Sequence, residues 1–206
     1  MTCRFITFEG IDGAGKSTQI AAVASLLTAH GKTVLVTREP GGTVLGERLR
    51  ELILGGGQSL QPETEALLMF AARREHVARV IQPALDAGKI VLSDRFTDAT
   101  FAYQGGGHAV AQSKLELLEA WVHDGWQPDL TFLFDLPVEV ARSRLGQARS
   151  PDRFERESGQ FFDRVRKAYL QRAAQFPRRI VVVDAEKSAV DIEKIVEKEV
   201  TIRCLI

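Results

Sequence analysis

Ten residues near the start of the chain, FEGIDGAGKS at positions 8–17, constrain the fold more than any other stretch. An apolar run, CRFITF (3–8), leads in. A helical stretch (16–30) leads out, with Ile20, Val23, Ala24 and Leu27 at i, i+3, i+4 and i+7 and Gly31 as a stop. Gly10, Gly15, Lys16 and Ser17 match G-x-x-x-x-G-K-[ST]. Glycines let backbone N–H groups approach an anion, and the N-terminus of the following helix favours negative charge. The pattern assigns a nucleoside triphosphate site to Gly10, Ile11, Asp12, Gly13, Ala14, Gly15, Lys16, Ser17 and Thr18. Lys16 is placed to reach the β- and γ-phosphates and Ser17 to offer a hydroxyl to Mg²⁺. Asp12, an acid inside a loop that must attract anions, is left unexplained.

Four more apolar runs follow: TVLVT (33–37), KIVLS (89–93), LTFLF (130–134) and RIVVV (179–183). They are continuous rather than alternating, as strands buried on both faces are. Helical stretches separate them: 63–87, with Pro83 as a kink, then 111–124, 155–175 and a last one opened by Ser188 and Asp191. This alternation predicts a three-layer α/β fold with right-handed crossovers. At 206 residues the chain suits one domain, 1–206, and no linker divides it. GGGQSLQ (55–61), QGGGH (104–108) and GQARSPDR (146–153) read as irregular.

Lys plus Arg and Asp plus Glu balance at 27 each, so no global field draws the chain to nucleic acid or an anionic membrane. Anion binding must come from local arrangement. Two cysteines near opposite ends, Cys3 and Cys204, indicate a reducing compartment rather than a disulfide framework. MTCRFITFEG lacks the apolar core of a signal peptide, and the expectation is a cytoplasmic protein.

Three strands end in acids, Asp94, Asp135 and Asp184. Carboxyl ends of parallel strands face ligands, and Asp94, followed by Arg95, is the candidate to support Mg²⁺. The chain contains no asparagine, so it cannot carry the N-K-x-D segment that reads guanine in GTPase switches. Arginines in turns (TREPGG, LSDRF, GQARSPDR) suit phosphoryl transfer, because their fork fits phosphate oxygens. Two other classes stay open. A nucleoside kinase would need a carboxylate base, with Glu9 or Glu39 as candidates. A P-loop binding module would hold ATP without turnover.

FEGIDGAGKSTQ, TREPGGT, LLMFAARR, SDRFTDATFAYQGGG and SPDRFE together resemble the thymidylate kinase family, in order from about residue 4 to 185. The resemblance implies a P-loop NTPase fold with a five-stranded parallel sheet, ATP with Mg²⁺, dTMP as acceptor, a mobile lid and a homodimer. It gives Arg38 to the dTMP phosphate, Phe70 to stacking on thymine and Arg74, one turn on, to the same substrate. Phe70 reads equally as a core residue. Arg95 would clamp the acceptor phosphate, Thr100 and Gln104 would bond the pyrimidine edge, and Tyr103 would crowd the sugar 2′ position. Asp12 would accept from the 3′-hydroxyl, or else brace its own turn. Arg73 stands where many relatives carry an acid, and its role is open. The lid would span about 142–153, with Arg153 and then Arg149 reaching transferring phosphate, and Arg142 near adenine.

Overall fold

The structure, a computed structural model, describes residues 3–55, 60–145, 153–154 and 157–205. Each apolar run becomes a strand whose start is displaced by at most two residues: β1 (Phe5–Glu9), β2 (Val34–Arg38), β3 (Ile90–Asp94), β4 (Leu130–Asp135) and β5 (Ile180–Asp184). All pairings are parallel, in the order β2-β3-β1-β4-β5. Phe5 and Val91 belong to one buried cluster with Val77, Ile81 and Leu85, whereas Ile6, Phe8 and Leu92 belong to another with Ile20, Val23 and Leu27. Neighbouring strand residues point to opposite faces, so both faces of the central strands are covered and their runs read as unbroken, whereas the edge strands β2 and β5 are partly exposed at Val36 and Val182. The order reverses at β1, and the crevice at its carboxyl end is where a ligand fits such a sheet.

Around the sheet lie α1 (Lys16–Ala29), α2 (Val44–Leu54), α3 (Pro62–His76), α4 (Gln82–Asp86), α5 (Thr97–Thr100), α6 (Gln112–His123), α7 (Val138–Leu145), α8 (Gly159–Gln175) and α9 (Ala189–Val200). Ser188 caps α9 as expected, accepting from the Asp191 N–H at 3.2 Å. The stretch 63–87 does not simply kink at Pro83. A π-helical turn, Val77–Ile81, joins α3 to α4, with the Gln82 N–H bonded to the Val77 carbonyl. The wider turn accommodates a proline that cannot donate and crowds the carbonyl four residues back.

The expectation of an irregular QGGGH is corrected. Phe101–Gly107 is a π-helical turn continuing α5. A Cβ on Gly106 would lie 2.5 Å from the Ala168 Cβ and 2.8 Å from the Arg164 carbonyl oxygen. The glycines are there because α8 lies against them, and α8 begins four residues later than predicted, capped by Ser158. Among the described residues no helix is long and apolar enough to cross a membrane.

Candidate active site

The phosphate loop depends on Gly10, whose φ is 132° and where a Cβ would sit 2.6 Å from the Phe134 carbonyl oxygen. No side chain fits that approach. Lys16 is buried and folded back on the loop, its Nζ donating to the Gly10 and Ile11 carbonyls at 3.1 and 3.2 Å. Burial, then the Arg95 guanidinium, lowers its pKa below the usual lysine range. Ser17 and Thr18 are exposed on the first turn of α1.

At the end of β3, Asp94 Oδ1 is buried and has no hydrogen-bond partner among the described residues. A carboxylate and a hydroxyl are hard oxygen donors of the kind Mg²⁺ takes. Asp135 and Asp184 serve structure instead. Arg166 grips Asp135 with two bonds of 2.7 and 2.9 Å, and Asp184 accepts from the Glu186 N–H.

Beside the loop, Gly15, Thr18, Arg144, Lys187 and Ser188 line a cleft of about 420 Å³. Arg144 donates to the Ala185 carbonyl at 2.8 Å. Arg142 points elsewhere, over the Phe162 ring and to the Glu157 carbonyl. Two arginines two residues apart on one helix face opposite ways, and only packing shows which one flanks the nucleotide cleft.

A second cavity opens on the other side of Asp12. Asp12, Arg95, Tyr103 and Gln104, four residues expected at an acceptor site, line it together with Arg50 and Met69. Arg95 Nη2 donates to Asp12 Oδ1 and to the Tyr103 hydroxyl, each at 3.1 Å. Its backbone φ is 68°, a conformation rare outside glycine. Arg50, which sequence reasoning missed, donates to the Pro40 carbonyl at 2.9 Å. Arg38 is half-exposed and outside the lining of this cavity, paired with Glu47 at 2.8 Å. Thr100 is buried one turn before Gln104.

Phe70 and Arg74 are not brought to this cavity, contrary to the expectation for them. Phe70 packs with Ala66, Leu115 and Val122, and Arg74 lies exposed on a groove at the outer side of α3. The cavity-side series of α3 is Glu65, Met69 and Arg73, spaced four and four, and positions 70 and 74 turn about 100° away. Arg73, whose role was open, is the buried arginine. Its Nε meets Glu39 at 2.7 Å, and Nη2 donates to Thr100 Oγ1 and the Phe96 carbonyl at 3.0 and 3.1 Å. Its Nη1 has no hydrogen-bond partner among the described residues. His76 Nδ1 bonds the other Glu39 oxygen at 2.9 Å. The helical period of the buried positions was the signal that separates Arg73 from Arg74.

Of the lid arginines, Arg153 is bonded through Nη1 to Glu65. Arg149 lies outside the described residues, as does most of the lid. Glu9, beneath the loop, is fully buried. It accepts from the Phe96 N–H at 2.7 Å and the Tyr169 hydroxyl at 2.9 Å.

The chain matches the family described as thymidylate kinase over residues 8–197. It is 61% identical over 202 residues to the thymidylate kinase of Ralstonia nicotianae, covering 96% of this chain and 98% of that one. With the thymidylate kinase of Nitrosomonas europaea it shares 62% identity over 190 residues, 92% and 88% of the two chains. The crystal structure of thymidylate kinase from Ehrlichia chaffeensis superposes with a TM-score of 0.78 at 36% identity, over 97% of this chain and 99% of the other. Phosphate loop, acceptor cavity and these likenesses agree, and the chain belongs to the thymidylate kinase family.

Proposed function

We propose that the chain is an ATP-dependent dTMP kinase, transferring the γ-phosphoryl group of ATP to dTMP to give dTDP. Two buried, unpartnered polar atoms carry the choice of base: the acceptor Gln104 Oε1, on a residue lining the cavity, and the donor Arg73 Nη1, whose sister Nη2 bonds Thr100 one turn before Gln104. A thymine edge offers the complement, a C4 carbonyl and an N3–H. Cytosine offers an amino group and a bare N3, which leaves both protein atoms unpaired at a cost of about 1–3 kcal/mol each.

The nucleophile is a dTMP phosphate oxygen, already ionised at neutral pH, so no general base is needed. Both candidate bases are otherwise engaged, Glu39 between Arg73 and His76 and Glu9 between Phe96 and Tyr169. That favours a monophosphate acceptor over a nucleoside. Catalysis then consists of alignment and charge neutralisation. Lys16 leaves the loop carbonyls for the β- and γ-phosphates, Arg95 and Arg50 hold the acceptor phosphate, and Arg38, given to that phosphate by the resemblance, joins them on leaving Glu47. Asp12 takes the sugar 3′-hydroxyl, and Tyr103 restricts the 2′ position. Ser17 and Asp94 would hold Mg²⁺, which would supply positive charge to the triphosphate. Arg153 and Arg149 belong to a lid within a single unit, 1–206.

We further place the enzyme in the cytoplasm as a homodimer. Its two cysteines are free and buried. Leu67, Leu117 and Trp121 are 54%, 72% and 80% exposed on α3 and α6, beside an apolar groove of about 480 Å³. A coupled ADP-release assay over dTMP, dUMP, dCMP, UMP, AMP and thymidine tests the substrate. The best response is expected with dTMP, and a best response to thymidine or AMP overturns the reading.

A further inference from the structure

Glu65 is buried near the start of α3, and its one carboxylate serves donors from distant parts of the chain. Oε1 accepts from Gln104 Nε2 at 2.7 Å, and Oε2 accepts from Arg153 Nη1. His108 Nε2 lies 3.6 Å from Oε1. A carboxylamide can be turned end for end with almost no change in shape, so its neighbours decide which end faces where. An ionised carboxylate only accepts, and beside it the NH₂ end of Gln104 is the end that bonds. The opposite end, Oε1, is left buried and unpartnered on a residue lining the acceptor cavity.

We propose that Glu65 is a positioning residue for base selection: by holding the Gln104 amino group it turns an acceptor toward the cavity and so selects a pyrimidine bearing N3–H over cytosine. The proposal rests on reading that cavity as the pyrimidine monophosphate site. Glu65 touches no substrate and acts only through Gln104.

Arg153 gives the substitution Glu65→Gln a direction. A guanidinium has no acceptor, so it claims the one oxygen of the new amide. That leaves an NH₂ facing Gln104 and His108, which Gln104 satisfies by turning its amide over. Its amino group then faces the cavity, where it repels N3–H and matches the N3 of cytosine.

The test compares kcat/KM for dTMP and dCMP in the wild-type enzyme and in E65Q, with the KM for ATP alongside. The expected result is a fall of about tenfold or more in the dTMP/dCMP ratio, carried by a higher KM for dTMP, with the KM for ATP unchanged. Should E65Q fail to fold, the double variant Glu65→Leu, Arg153→Met leaves no buried cation orphaned. It frees the amide, and the same fall in ratio is expected. An unchanged ratio, or an equal loss for both nucleotides, overturns the role of Glu65. A wild-type enzyme without preference for dTMP over dCMP overturns the site reading itself, and is distinguishable because it needs no variant.

Discussion

Arg95 Nη2 donates to Asp12 Oδ1 across 3.1 Å, tying the end of β3 to the phosphate loop. The relationship accounts for an acid inside an anion-binding loop. Backbone N–H groups serve the phosphates, so a side chain in the loop is free to point to the acceptor side, where Asp12 meets an arginine. The pair is partly shielded, with the two side chains 24% and 19% exposed. Replacing Arg95 by Ala should lower kcat with dTMP by roughly 100-fold or more while the KM for ATP changes little. Steady-state kinetics with each substrate varied in turn measures this, and undiminished turnover would remove Arg95 from the mechanism. The left-handed backbone adds a second expectation. Arg95→Gly should be about 1 kcal/mol more stable than Arg95→Ala by thermal unfolding, although both are inactive.

Arg73 and Arg74 are adjacent in sequence and should behave as opposites. Removing Arg73 leaves Glu39 buried without its strongest partner, which costs about 3–5 kcal/mol. Where Arg73→Ala folds, its KM for dTMP should rise. Arg74→Ala, at an exposed position, should stay within about 0.5 kcal/mol of wild type and keep its kinetics. Denaturant melts and dTMP titrations of both variants check this, and the reverse pattern would restore the role first expected of Arg74.

Glu9 gives stability a pH dependence. Burial, reinforced by the charge of Asp98, pushes its carboxyl up to about 8 from an ordinary value of 4.5. Between those values the folded protein keeps a proton that the unfolded chain has released, so this group destabilises the fold as pH rises from 4.5 to 8. Glu9→Gln retains an acceptor for the Phe96 N–H and gains a donor for the Tyr169 oxygen. Its melting temperature should approach that of wild type near the acid end of this window and exceed it at the alkaline end. Parallel curves across the window would mean that Glu9 stays ionised.

Trp121 lies 80% exposed beside the outer groove of α3 and α6. If that face joins two copies, Trp121→Glu should halve the mass measured by light scattering at micromolar concentration. The far-ultraviolet circular dichroism should be unchanged. A wild-type chain already monomeric under those conditions would remove the homodimer from the proposal.

What the sequence disclosed follows from where the physics is local. The phosphate loop was legible because Gly10, Gly15, Lys16 and Ser17 act through backbone and spacing. The strands were legible because burial on both faces leaves continuous apolar runs. The acceptor side was harder. Asp12, Arg95, Tyr103 and Gln104, which line one cavity, were named only through resemblance. Phe70 and Arg74 were displaced by a single helical step, since two neighbouring arginines look alike until the cavity-side series Glu65, Met69, Arg73 is known. Arg50, Arg144 and Glu65 act through tertiary placement, and no local pattern marks them. Pro83 signalled a break that a π-helical turn absorbed, and QGGGH signalled a loop where close contact with α8 required small residues.

The turn Phe101–Gly107 winds more loosely than an α-helix, so it holds more residues than an α-helical path of equal length needs. Its phase sets the aim of everything that follows Thr100. Omitting Ala102, which precedes Gln104 in the turn, would preserve charge and helical character. It would still rotate Gln104 relative to Arg95 and Asp12, which are anchored on the sheet. Exchange of side chains around this enzyme's pocket alters single contacts, whereas a change in the length of that turn would unthread the whole alignment at once.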